Sequence, residues 1–141
     1  MKTINLKSNF SFKLTTIIFS MVLFLSCDPA IGYRYSVNNK SDKELKVYYK
    51  KGYSDSLIVI KPKTEMAFFD EGMWGSNPHD EKDEFLHIFD SLKIEASDKS
   101  TLSLDYLKRE NWKYSCEPSH MGLIETGLNK YEIEISNENF K

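Results

Sequence analysis

Little in this chain offers chemistry, and each scarcity removes a class of protein. Among 141 residues there are two cysteines, Cys27 and Cys116, which make one bridge at most, so the chain is not a disulfide scaffold. His79, His87 and His120 are the only histidines. Cys116 and His120 form the only close sulfur–imidazole pair, and Pro118 between them argues against a shared helical face. A tetrahedral zinc site wants three or four ligands at tight local spacing, so zinc is not expected. The Asp-x-Asp-x-Asp-Gly calcium loop and the Gly-x-Ser-x-Gly nucleophile elbow are both missing. No cofactor is implied, and no metal ligand set or catalytic residue is assigned. Nor is there a cluster of Lys or Arg of the kind that neutralises phosphates, which argues against nucleic acid as a partner.

Long apolar runs are also scarce; one short run at the N-terminus matters. Residues 1–13 carry Lys2, Lys7 and Lys13 without an acid, and 14–25 are apolar apart from Thr15, Thr16 and Ser20. A basic segment followed by about a dozen apolar residues has the form of an export leader. It falls short of the ~20 residues that cross a ~30 Å hydrocarbon core. Asp28 and Pro29 then end the run.

The junction Phe24-Leu25-Ser26-Cys27 resembles the lipobox of bacterial lipoprotein precursors. The resemblance covers about 27 residues and implies that Cys27 becomes the mature N-terminus, its sulfur carrying a diacylglycerol. A plain secretory leader and an uncleaved anchor are the alternatives. Each buried methylene contributes about 0.8 kcal/mol, so one chain holds marginally while two or more hold firmly. The expected address is the cell envelope, anchored in the membrane by the N-terminal lipid, the outer membrane ahead of the inner. Asp28 resembles the inner-membrane retention signal of some enteric lipoproteins, but sorting rules differ between bacterial groups.

Three of the 19 basic residues and none of the 21 acids lie in the leader, so residues 27–141 hold 16 bases against 21 acids, a net charge of −5. About 115 residues suit one domain that buries roughly two thirds of its unfolded surface. The expected organisation is a signal helix over 1–26, a short tether over 27–32 and one domain over 33–141. With Cys27 consumed by lipid, Cys116 is expected as a buried small hydrophobe.

The domain alternates with the period of half-buried strands. Tyr33, Tyr35 and Val37 oppose Arg34, Ser36 and Asn38, and 38–42 supply turn residues, which predicts a first strand hairpinned to a second. In that second strand Leu45, Val47 and Tyr49 oppose Lys46, Tyr48 and Lys50. A continuously apolar third strand over 57–60 and a fourth over 64–70 follow with short, antiparallel-style connections. After a long irregular stretch, 85–89 reads as a short helix or turn, 92–96 as a fifth strand and 101–104 as a short sixth. A helical turn within 104–111 precedes a seventh strand over 112–116. Tyr131, Ile133 and Ile135 alternate strictly with Glu132, Glu134 and Ser136 in a last strand. The prediction is an all-β fold, a small antiparallel β-sandwich of about seven strands, with a small barrel as the alternative.

The irregular stretch 70–84 is the candidate ligand or partner loop: Asp70, Glu71, Trp74, His79, Asp80, Asp83 and Glu84. Carboxylates and turn carbonyls are the oxygen ligands calcium takes, although Lys82 interrupts the acids. Tyr48, Tyr53 and Trp74 are the aromatics expected at the surface, where rings stack on glycans or anchor protein partners. The chain therefore reads as a membrane-anchored envelope lipoprotein without an enzymatic role, a binding or structural module whose candidate partners are an envelope protein or a glycan. A small envelope hydrolase or metal-binding protein using the 70–84 loop is the alternative.

Overall fold

The structure, a computed structural model, describes residues 30–74, 79, 81, 84–121 and 124–141. The expected signal helix, Cys27, Asp80 and Asp83 lie outside the described residues. Among the described residues no helix is long and apolar enough to cross a membrane.

Among the described residues seven strands form two sheets: β1 (Ala30–Asn39), β2 (Leu45–Lys51), β3 (Ser54–Ile60), β4 (Thr64–Trp74), β5 (Ser91–Ala96), β6 (Trp112–Met121) and β7 (Ile124–Ile135). One sheet runs β4-β1-β7-β6 and the other β3-β2-β5, so the domain is the expected sandwich and not a closed barrel. Alternation decides what each strand buries. Tyr33, Tyr35 and Val37 of β1, Leu45 and Val47 of β2, and Tyr131, Ile133 and Ile135 of β7 are all buried, as their spacing predicts.

Pairing differs from expectation in four places. β1 does not hairpin with β2: it lies between β4 and β7, and the chain crosses to the other sheet through 40–44. Asn39 makes that corner. Its buried side chain accepts from the Ser41 amide (3.1 Å) and hydroxyl (2.6 Å), and donates to the carbonyls of Lys43 (2.7 Å) and Lys61 (3.0 Å). The β3–β4 connection likewise changes sheet, leaving β2–β3 and β6–β7 as the hairpins. Second, β7 pairs with β1 in parallel, Tyr35 opposite Tyr131, so one pair departs from the antiparallel rule. Third, 101–104 contributes only the isolated bridge Leu102–Phe140, whereas β6 extends to Met121. β6 contains Pro118, which an edge strand tolerates because its missing amide faces no neighbour. Fourth, β3 is an edge strand with Leu57 and Val59 outward, and Ile58 and Ile60 inward.

Segment 84–89 is a turn, in line with its sequence, and it completes the core. Phe85 meets Trp112 of β6 (5.5 Å between centroids) and Tyr131 of β7 (5.3 Å). Phe89 meets Tyr35, Phe68, Phe69 and Tyr49. Tyr35 sits at the middle of this aromatic cluster, stacked on Tyr131 at 5.2 Å and donating its hydroxyl to the Phe85 carbonyl at 2.5 Å. Burial, then the neighbouring Tyr131, Tyr33 and Glu71, push that hydroxyl's pKa well above the ordinary tyrosine range.

Tyr35→Phe should therefore cost about 1–3 kcal/mol in urea unfolding, because the Phe85 carbonyl is left buried without its donor. A raised folded pKa means stability that is intact below the unfolded value of about 10 and lost as pH rises beyond it. The variant should lose less stability than wild type above about pH 10, and parallel alkaline limbs would contradict the assignment.

Candidate functional site at one end of the sandwich

Four features meet at one end. β1 starts there, the Gly52-Tyr53 turn joins β2 to β3 there, β4 finishes there, and the β6–β7 hairpin turns there. The registers Ala30 opposite Trp74, and Met121 opposite Ile124 with Gly127 opposite Ile31, bring three of these together, and the ion pair of Lys51 with Glu71 brings the end of β2 to them. Ala30 to Gly32, expected in the tether, already belong to β1.

The candidate loop begins later than predicted. β4 continues to Trp74 because Glu71, Gly72, Met73 and Trp74 pair with Tyr33, Gly32, Ile31 and Ala30. Two consequences follow for Asp70 and Glu71. As neighbours on a strand they point to opposite faces, and each engages a different cation. Asp70 accepts from Arg34 Nε at 2.7 Å on the outer face, while Glu71 reaches across the sandwich to Lys51 of β2. They do not form one ion site.

The other described residues of the 70–84 stretch are similarly dispersed. Glu81 pairs with Arg109, whose guanidinium lies 5.3–5.9 Å from the ring centroids of Phe85, Tyr114 and Tyr131. Glu84 is exposed and its carbonyl accepts from the amide of His87 (3.1 Å) and from that ring's Nδ1. His79 is exposed. Among the described residues no group of three or more His, Cys, Asp or Glu could hold a metal ion. Of the aromatics expected outside, Tyr53 is fully exposed, and Tyr48 is half-covered by Lys93, whose Nζ is 5.8 Å from the ring centroid. The Trp74 side chain lies outside the described residues.

Cys116 is half-buried on β6 and not fully buried as expected. Burial first, and then Glu117, raise its thiol pKa, the reverse of what a nucleophile needs.

The structure does bring together a set of residues at the shared end. A cavity of about 180 Å³ is lined by Tyr33 and Tyr35 of β1, Lys51 of β2, Glu71 and Met73 of β4, and His87 and Ile88 of the 84–89 turn. Its walls are mainly aromatic and aliphatic, and Lys51 and Glu71 neutralise one another. Such a recess holds an apolar group more readily than it activates a substrate. Larger grooves lie elsewhere. One of about 420 Å³ crosses the outer face of the four-stranded sheet past Arg34, Lys113 and Lys130, but those cations are paired with Asp70, Glu134 and Glu117. Another, about 500 Å³, runs beside β5 past Lys46, Glu95 and Lys99.

Of the cavity residues, Glu71 and Met73 belong to the predicted 70–84 loop. Lys51 had a legible signal, since it continues the inward register of Leu45, Val47 and Tyr49. His87 and Ile88 had none, because a turn carries no periodicity. Fold and cavity together define an all-β, two-sheet sandwich domain with a small apolar recess at the end where β1 begins. No protein-family model, curated protein or solved structure matches the chain.

Proposed function

We propose that the chain is a lipid-anchored envelope lipoprotein whose folded domain is a non-catalytic binding module for an envelope protein or glycan. The observation that carries this reading is the joint between leader and fold. Only Asp28 and Pro29 separate Cys27 from β1, a strand paired with β4 from Ala30 and with β7 from Ile31. An anchor on Cys27 thus holds the sheet itself and not a flexible tail. The dispersed acids and the apolar recess favour binding over hydrolysis or metal chemistry.

Metabolic labelling with a radiolabelled fatty acid tests the anchor. Wild type should incorporate label in a globomycin-sensitive way and fractionate with membranes, whereas Cys27→Ser should lose both properties. Equal labelling of the two proteins would sink the proposal.

A further inference from the structure

We infer that the end of the sandwich where β1 begins is a lipid-docking surface, which seats Tyr53 and Met73 in the headgroup layer and stands the strands away from the bilayer. The inference rests on the lipid anchor proposed above and adds an orientation and a contact surface to it. Three residue steps separate Cys27 from Ala30, so the two Cα atoms are at most about 11 Å apart even when the chain is fully extended. Because Ala30 is already in register with Trp74, and Ile31 with both Met73 and Gly127, that short reach cannot grow without unzipping the sheet. An acylated Cys27 therefore keeps this end within the interfacial zone.

The side chains at this end suit that zone. Tyr53 is fully exposed on a turn that Gly52 makes at φ 57° and that Asp90 fastens by accepting the Gly52 amide at 2.7 Å. A rigidly presented tyrosine, with an apolar ring and a polar tip, matches the bilayer interface. Met73, 44% exposed, lies on the last turn of the pleat in β4. Lys50 and Lys51 are offset by Asp55, Glu71 and Asp90 at the same end. Attachment through rings and aliphatic groups, not net charge, should thus be insensitive to salt. Exposed Leu57, Val59 and Met66 lie further along the edge strands and Leu107 lies in another loop, so they are not part of this surface.

The test uses the full chain, processed in cells and reconstituted into phosphatidylethanolamine–phosphatidylglycerol vesicles that carry a nitroxide on the headgroup. In a Cys116→Ser background, single cysteines at Tyr53→Cys, Met73→Cys or Lys63→Cys receive a small fluorophore. Lys63 is in the turn between β3 and β4, at the opposite end of ten-residue β1. At ~3.3 Å per residue that end is roughly 30 Å away. Headgroup quenching at 53 and 73, little affected by salt, with none at 63, is the expected result. Equal quenching at all three positions, or none at any, would overturn the docking surface while leaving the anchor intact. Labels at 53 and 73 that are shielded from aqueous iodide yet unquenched by lipid would also overturn it, in favour of a protein partner or a second copy. The Cys116→Ser parent is the check on the anchor: a Cys27 thiol that takes up the fluorophore is not acylated, and that result removes the anchor and the docking surface together.

Discussion

Tyr131→Ala should destabilise the domain by about 3–5 kcal/mol, as removal of large buried aromatics does. That is a substantial part of the ~5–15 kcal/mol that holds a typical domain. Tyr131 is completely buried on β7 and meets Tyr35 at 5.2 Å, Phe85 at 5.3 Å and Tyr114 at 5.4 Å, with the Arg109 guanidinium 5.3 Å from its ring centroid. Three parts of the chain therefore lean on one ring: the parallel β1–β7 pair, the 84–89 turn and the segment leading into β6. The natural control is Tyr53→Ala, the same substitution at a fully exposed tyrosine, which should stay within about 0.5 kcal/mol of wild type. Urea unfolding measures both, and equal costs would show that the aromatic cluster is not the core.

Asn39→Ala should cost about 3 kcal/mol, since it strips the partner from the buried Ser41 amide and from the part-buried carbonyls of Lys43 and Lys61, where a lost buried bond costs ~1–3 kcal/mol. Its amide ties Lys43 to Lys61, one on the way into β2 and the other just after β3, while its carbonyl oxygen holds Ser41. These bonds carry the chain out of the four-stranded sheet and into the three-stranded one. Asn39→Asp separates the two halves of the amide: it keeps the acceptor for Ser41, loses both donated bonds and buries a charge. Burial raises the pKa of such a carboxyl, so its deficit should shrink as pH falls and the group takes up a proton. An Asn39→Ala protein within about 0.5 kcal/mol of wild type would mean that the corner is held by something else.

Asn39 also shows where sequence reading stops. Within Asn38-Asn39-Lys40-Ser41-Asp42 the residue types announce a turn, and a turn is present. Whether the next strand folds back beside β1 or crosses to another sheet depends on what already occupies the edges of β1. Those neighbours, β4 and β7, begin 34 and 94 positions after Ala30, in the bounds Thr64–Trp74 and Ile124–Ile135. No local pattern reports them. The start of the candidate loop differs from expectation for a related reason. Glu71-Gly72-Met73-Trp74 carries a glycine and no clean alternation, yet it is strand because Ala30 to Tyr33 offer it a complete row of partners.

Charge is a second case. The acids between 70 and 84 are close in sequence, which made a shared ion site conceivable. Strand geometry sends Asp70 and Glu71 to opposite faces, and the fold supplies Arg34, Lys51 and Arg109 to three separate acids. Lys51 looks like an exception to hydrophobic patterning until the second sheet is in place. It then becomes half of a pair that lines the cavity.

By itself, then, the sequence determined that the domain is all-β and which face of β1, β2, β5 and β7 is buried, because side-chain direction along a strand is a local property of period two. It also places Cys27 ahead of the first strand with two residues between them. Tertiary structure alone decided sheet membership, the parallel β1–β7 pair, the extension of β4 and the gathering of four chain features at one end. Those depend on hydrogen-bond partners and packing surfaces far away along the chain, so they exist only once the two sheets have closed on each other.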